Sequence, residues 1–513
     1  MTAADAPGTG DPPGTEEEWR RLDKRTVLVT VGVMAGVAGG AAVPTTLGLA
    51  DGMPMWQALA WVLTGAALLI GCGAAGDYVR WRRTRYRIGP DRAELHSGLL
   101  LVTRRSLARE RIRSVDLTAH PMLRILGLVK VRIGTGEHAG GESTLELDPV
   151  ARAEGERLRL LLLDRPAAAD ADSGRDGALA VFDPRWIRYA PVSFVAPLLG
   201  GAAAGAVMQV SEWFGAQGKV IDWVADRFEH TSLVWMILVL VLAALVTGLV
   251  GALGLWVEMW WNYRLEREPG GTLRVRRGLF TARSISLEER RLRGVELVEP
   301  LGVRTFGAAR VDAVATGIAE DDEDQHAEHK TLLPPAPRPV ADAVAAEVLR
   351  EPVAPTGAPL VSHPPAARTR RLRRALWGAA VPVVVLTLLG VLLGVGALLY
   401  GAVACALVVT PLALLAARDA YRNLGHGITG RYLVTRSGTL RRTTVALQRG
   451  GVIGWTVRQS YFQRRAGLVT LTATTAAGSG AYPVHDADQS EAIRFAAEAV
   501  PDLLEAFLVD RTP

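Results

Sequence analysis

Long apolar runs without a charged residue constrain this chain more than any other feature. Residues 27–49, 57–76, 190–210 and 233–257 contain no Asp, Glu, Lys or Arg. A fifth run, Trp377 to Ala417, is about twice the ~20 residues that one membrane crossing needs. Helices in a soluble core keep a polar face, and these runs have none. Splitting the long run at "GVGALLYG" gives six transmembrane α-helices in three hairpins, at 20–80, 188–260 and 375–418. In the first hairpin the Pro and Asp of "ADGMPMWQ" mark the turn. With 49% hydrophobic and 21% charged residues, the chain is too apolar for an ordinary soluble enzyme and too polar to lie wholly in lipid. Cys72 and Cys405 are the only cysteines, both within apolar runs, so no disulfide framework is expected. Residues 1–19 are rich in Pro, Gly and acid, lack the basic and apolar regions of a signal peptide, and read as a disordered tail.

Basic residues set the expected orientation. Arg80, Arg82, Arg83 and Arg85 follow the second run, and the short loop between the first two carries no Lys or Arg. Arg370, Arg371, Arg373 and Arg374 lie in "RTRRLRR" ahead of the fifth helix, whereas the 211–232 loop sets Lys219 and Arg227 against four acids. Both termini and all large polar segments are therefore expected on the cytoplasmic side of a plasma (inner) membrane.

Those polar segments, 81–165, 261–353 and 419–513, repeat one another. Residues 98–127 match 278–307 and 438–467 at constant offsets without a gap. Tyr86, Tyr263 and Tyr432 open a strand; Gly98, Gly278 and Gly438 turn the chain into the next, and Gly127, Gly307 and Gly467 break it again. Alternating strands such as "VTLTATT" follow, then an apolar-striped helix in each copy. The expected architecture is three small β-barrels, each closed by a C-terminal helix and alternating with the helical hairpins. The linker 166–187, the basic linker 354–374 and an acidic, Pro-rich insert at 318–339 fill the remainder, the insert read as disordered.

The layout Tyr-x-aliphatic, x-Gly-Leu, Arg-aliphatic-x-x-Val-x-Leu, then Arg-x-x-Gly-Leu resembles the bacterial pleckstrin-homology-like (bPH) domain of membrane proteins. Three copies interleaved with three hairpins resemble the YdbT-like family from about residue 20 onward. The third copy carries the run Gln459, Ser460, Gln463, Arg464, Arg465, Gly467, Leu468; the first has His120 and Pro121 in place of Ser460 and Tyr461, and the second has Glu299 in place of an amide. The resemblance implies a protein of envelope protection, including tolerance of membrane-active antimicrobial peptides, accompanied by a smaller membrane protein with a single PH-like barrel.

From the residues themselves, the expectation is a non-catalytic membrane scaffold that engages a protein partner or an anionic phospholipid surface. Its candidate binding residues are Gln459, Ser460, Gln463, Arg464 and Arg465 and the loop clusters Arg104/Arg105, Arg276/Arg277 and Arg441/Arg442. The basic residues flanking the spans are the candidate membrane-surface set. A transporter or channel component is the alternative, though the runs hold none of the ionisable side chains that coupled carriers place in their spans. His326, Glu328 and His329 in "EDDEDQHAEH" form neither an HExxH helix nor a Cys-paired set, so no metal and no cofactor is expected. The basic balance (pI near 9.5) follows from juxtamembrane arginine and gives no nucleic-acid reading.

Overall fold

The computed structural model describes residues 19–50, 52–98, 103–112, 114–134, 144–162, 177–190, 195–268, 271–316 and 330–504. The chain divides into two compact units, residues 1–135 with 139–167, and residues 168–513 with 136–138.

In the first unit, the predicted apolar runs become α1 (Thr26–Ala50) and α2 (Met55–Arg83), which pack as a hairpin. Strands β1 (Arg20–Arg21), β2 (Arg85–Ile88), β3 (Arg92–Ser97) and β4 (Thr103–Ala108) form an antiparallel sheet in that order, with β4 at its edge. A second antiparallel set joins β5 (Ser114–Ala119), β6 (Leu128–Gly134) and β7 (Thr144–Ala151), with the short α3 (Pro121–Ile125) between β5 and β6. The amphipathic α4 (Arg152–Leu162) lays Leu158 and Leu162 on a core of Tyr86, Leu95, Val131 and Leu147.

The second unit opens with β8 (Ala178–Val181) and the helices α5 (Val195–Trp213), α6 (Gln217–Phe228) and α7 (Leu233–Trp260). Two more copies of the strand pattern follow. One has β9 (Arg264–Glu268), β10 (Thr272–Arg277), β11 (Ala282–Glu288), β12 (Leu292–Pro300), α8 (Leu301–Thr305), β13 (Ala308–Ala315), β14 (Thr331–Pro337) and α9 (Arg338–Leu349). A third hairpin comes next: α10 (Pro365–Leu393), then α11 (Gly396–Ala404) running through a π-helical turn into α12 (Thr410–Arg422). The break predicted within the long run falls at Gly394, whose φ of +66° suits glycine. The last copy has β15 (Gly425–Thr429), β16 (Tyr432–Ser437), β17 (Arg441–Gln448), β18 (Val452–Arg458), α13 (Tyr461–Arg465), β19 (Leu468–Thr475), β20 (Ala481–Asp488), α14 (Gln489–Ala499) and α15 (Pro501–Leu504).

The expected turn glycines hold: Gly98, Gly278 and Gly438, like Gly127, Gly307 and Gly467, all take positive φ. Among the described residues five helices are long and apolar enough to span a membrane, and α5, which covers most of run 190–210, is not among them. It nevertheless packs tightly along α7, where a Cβ added at Gly200 or Gly248 would collide with backbone of the facing helix. The 211–232 connection contains the helix α6, with Ile221 and Trp223 exposed on it. Residues 331–337, inside the expected disordered insert, form the buried strand β14, and Pro334 and Pro335 fall at a break in the β13 pairing, where a ladder donor is not needed. His326, Glu328 and His329 lie outside the described residues. The basic run of the linker 354–374 is not linker but the first turns of α10.

The copies are also not closed barrels. Each contributes two antiparallel sets of three or four strands, and β12 of the second copy pairs with β17 of the third, from Gly294 opposite Leu447 to Pro300 opposite Arg441, making one six-stranded sheet β14-β13-β12-β17-β16-β15. Gly294 permits that approach, because a Cβ there would strike the Ala446 carbonyl oxygen. The seam is completed by Glu299, which is 3% exposed and receives Arg442 at 2.6 and 2.8 Å and Arg338 at 2.9 Å. Gly294→Val is therefore expected to destabilise the second unit by about 2 kcal/mol through enforced backbone displacement. Thermal melting of the detergent-solubilised protein checks this; an unshifted midpoint would show that the two strands part at little cost.

Candidate functional site

Strand β20 does not run evenly beside β19. Val469 faces Ala487 and Leu471 faces Val484, so two residues, His485 and Asp486, oppose the single Thr470. Asp486 there takes φ +56°, and the bulge turns its side chain inward to 2% exposure. The corresponding breaks in the other copies hold Asp148 and Pro149, and Pro334 and Pro335. Only the third therefore has a carboxylate at the second bulge position.

A buried carboxylate needs donors, and two elements supply them. Gln463 Nε2 of α13 donates to Asp486 Oδ1 at 3.0 Å, Arg371 pairs with Oδ2 at 3.3 Å, and Arg370 pairs with Oδ1. Both arginines come from the first turns of α10, so half of the predicted membrane-surface cluster is turned into the protein. Beside this centre lies a neutral relay of two buried imidazoles. His426 Nδ1 is 3.1 Å from His363 Nε2, and His363 Nδ1 is 3.2 Å from the Asp486 carbonyl oxygen. With the proton on each Nδ1, both contacts are satisfied hydrogen bonds, an assignment inferred from the partners. Tyr421 of α12 closes the joint by donating to the His363 carbonyl at 2.9 Å, and Ala367, Leu424 and Leu468 form its apolar floor. Burial and the neighbouring His363 push the His426 pKa down to about 4; burial also lowers His363 and His485.

The other predicted residues scatter. Gln459 donates to the Leu468 carbonyl at 2.9 Å and to Gln489 at 3.3 Å. Ser460 and Gln463 form a reciprocal capping box at the start of α13. Gln463, expected as a candidate binding residue, is 5% exposed and spends its amide within the protein. Arg464 is exposed, and Arg465 lies over the Tyr461 ring at 5.6 Å. In the clusters, Arg277 is buried with its guanidinium 4.4 Å above Trp260, and burial lowers its pKa to about 9, while Arg276 is exposed. Arg442 belongs to the Glu299 seam and Arg441 lies 3.9 Å from Glu296. Arg104 is exposed and Arg105 half-buried on β4. Arg80 pairs with Asp77 at 2.8 Å, and Arg82, Arg83, Arg85, Arg373 and Arg374 are exposed.

Half-buried carboxylates also make joints in the other two copies. In the first unit, Glu154 of α4 receives Arg20 and the Tyr86 hydroxyl, each at 3.1 Å, beside a cavity of about 390 Å³ also lined by Trp19 and Asp23. In the second, the Glu258 carboxylate near the end of α7 accepts the amides of Phe280 and Thr281, both at 2.9 Å. The described residues contain no group of three or more His, Cys, Asp or Glu placed to hold a metal. The chemistry available at these sites is ionic anchoring; the carboxylate at each is already met by donors.

Two outcomes are expected. Asp486→Asn leaves Arg370 and Arg371 without their counter-charge and should cost about 3 kcal/mol, read as a lowered melting midpoint; an unchanged midpoint would mean the joint is not structural. The imidazoles give a pH dependence of definite sign. Above about pH 6.5 His426 is neutral folded or unfolded and contributes nothing. As pH falls from 6.5 toward 4, the unfolded chain takes the proton that the folded chain resists, so stability should drop by up to about 3 kcal/mol. His426→Phe should flatten that part of a melting-versus-pH curve; an equal slope in the variant would exclude His426 as its source.

The family described as Bacterial PH domain matches residues 40–166 and 381–499, the first and third copies with part of their preceding hairpins. The UPF0699 transmembrane protein YdbT of Bacillus subtilis (strain 168) is 22% identical over 428 residues, covering 79% of this chain and 82% of its own length. No solved structure matches.

Proposed function

We propose that this chain, which matches bacterial PH domains in two regions and is similar to YdbT, acts as a non-catalytic scaffold holding three PH-like domains at the cytoplasmic face of the plasma membrane. In this reading α5 is the sixth span, its tight packing on α7 compensating for a weaker apolar run. The observation that carries the proposal is the anchoring itself. The second and third hairpins are tied to the sheets after them by a buried or half-buried carboxylate, Glu258 or Asp486, and in the first copy Glu154 of α4 holds Arg20 of β1, just ahead of the first hairpin. Such joints fix the position of a binding module and spend their polar groups on doing so. What remains outward is basic and apolar: Arg82, Arg85, Arg373 and Arg374 near the spans, and Ile453, Val457, Tyr461 and Phe462 on the third copy. The basic set suits an anionic bilayer surface, at roughly 1 kcal/mol per residue, and the apolar set suits a protein. The role we assign is envelope protection against membrane-active peptides, exercised with a smaller membrane protein bearing a single PH-like domain.

Two experiments test this. Single cysteines at Gln217 and Ser437, with Cys72 and Cys405 replaced by Ala, should react with an impermeant thiol reagent on intact cells at 217 and not at 437; the reverse pattern would overturn the orientation. Purification from mild detergent, followed by identification of co-purifying proteins, should recover a membrane protein in constant ratio; recovery of the chain alone would remove the scaffold reading.

A further inference from the structure

The six-stranded sheet shows how one copy receives another: β12, the fourth strand of the second copy, takes β17, the third strand of the third copy, along its outer edge. The equivalent fourth strand of the third copy, β18, pairs only with β19, so its outer edge is open among the described residues. The two acceptors are built alike. Both shift register at a glycine, Gly294 in β12 and Gly454 in β18, 160 residues apart as the repeat requires. A Cβ at Gly294 would strike the strand it receives, whereas a Cβ at Gly454 meets nothing within 4 Å. Leu297 is fully buried in the occupied strand, while its counterpart Val457 is 55% exposed, with Ile453 exposed beside it. The β18 edge thus keeps the features that admit a strand and lacks the strand.

Charge selects the occupant. In the occupied seam, acids on the acceptor, Glu296 and Glu299, face arginines on the donor, Arg441 and Arg442. On β18 and its extension the acids are replaced by Thr456 and Gln459, and Arg458 and Arg464 are exposed nearby. A second copy of this chain offers β4 as the free third strand, but the same register would bring Arg104 and Arg105 opposite Val457 and Thr456, beside Arg458, and like charges across a pair repel. We propose that the outer edge of β18 is a docking site for the third strand of a PH-like sheet in another protein, one with carboxylates where β17 carries Arg441 and Arg442. Backbone hydrogen bonds then supply the attachment and the flanking charges the choice of partner.

The proposal rests on the scaffold reading and is tested apart from it. The full chain with Val457→Cys, and Cys72 and Cys405 replaced by Ala, is placed in lipid nanodiscs and offered synthetic peptides that form a disulfide where pairing brings the cysteines together. One peptide, EETCVALQ, is the β17 sequence with acids for its two arginines and Cys at the position facing 457; a second, RRTCVALQ, keeps the arginines; a third scrambles the first. Trapping of the acidic peptide about tenfold faster than the basic one is expected, the combined effect of two cross-strand charge pairs. Adding Gly454→Val, which has room for its side chain and should leave the melting midpoint unchanged, is expected to reduce trapping to the scrambled rate. Equal rates for the three peptides, or trapping indifferent to Gly454→Val, would overturn the proposal. So would faster self-crosslinking of an Arg104→Cys/Val457→Cys chain than trapping of the acidic peptide, which would assign the edge to a second copy. If the protein that co-purifies with the natural chain is retained by the Gly454→Val chain, the edge is refuted while the scaffold stands.

Discussion

A carboxylate removed from water has to be neutralised where it stands, and in the third copy everything near the membrane is arranged around that requirement at Asp486. The β20 bulge turns the side chain inward, α10 brings two arginines to it, and α13 brings an amide. None of these elements holds its position alone: α13 is a five-residue helix, and the bulged residue is in a conformation that L side chains rarely adopt. Together they fix the angle at which a span leaves a sheet. Replacing the set with apolar residues could cost little, whereas removing one member leaves an uncompensated charge, so the cluster specifies geometry more than it adds stability.

The sheet seam follows a different logic. Its strength comes from backbone pairing, which any sequence can supply, and its selectivity from Glu296 and Glu299 facing Arg441 and Arg442. Gly294 matters because the donor strand passes so close that no side chain fits. The loop arginines of the third copy, which read in the sequence as a free basic patch, are therefore partly committed to holding two copies of the domain together.

The sequence made the periodic features legible. Apolar runs gave the apolar cores of the helices, though not the basic turns of α2 and α10 beyond them, and the turn glycines gave the strand boundaries, because both signals are local. The pairing of β12 with β17 was illegible because it joins residues about 150 apart and leaves no pattern in either strand. His363, His426 and Asp486 were passed over for the same reason: each is a single polar residue, and only the fold brings them together. The one local sign was "HD" within the otherwise alternating "AYPVHDAD", a break that marks the bulge. Gln463 misled because a capping residue and a ligand-binding residue look identical in a motif. The prolines of β14 misled because composition suggests disorder while register can place them where no donor is required.

α10 is continuous from Pro365 to Leu393, so the turns that meet Asp486 run directly into the apolar segment, and Pro382 within that segment is the point at which the helix can bend. Spanning helices adjust their inclination to the thickness of the bilayer. The turns ahead of Pro382 cannot do so without carrying their clamp, and here the clamp includes the bulge of β20. A change in bilayer thickness that tilts these turns would thus reach the sheets of the third copy as a mechanical displacement, with no ligand needed to convey it.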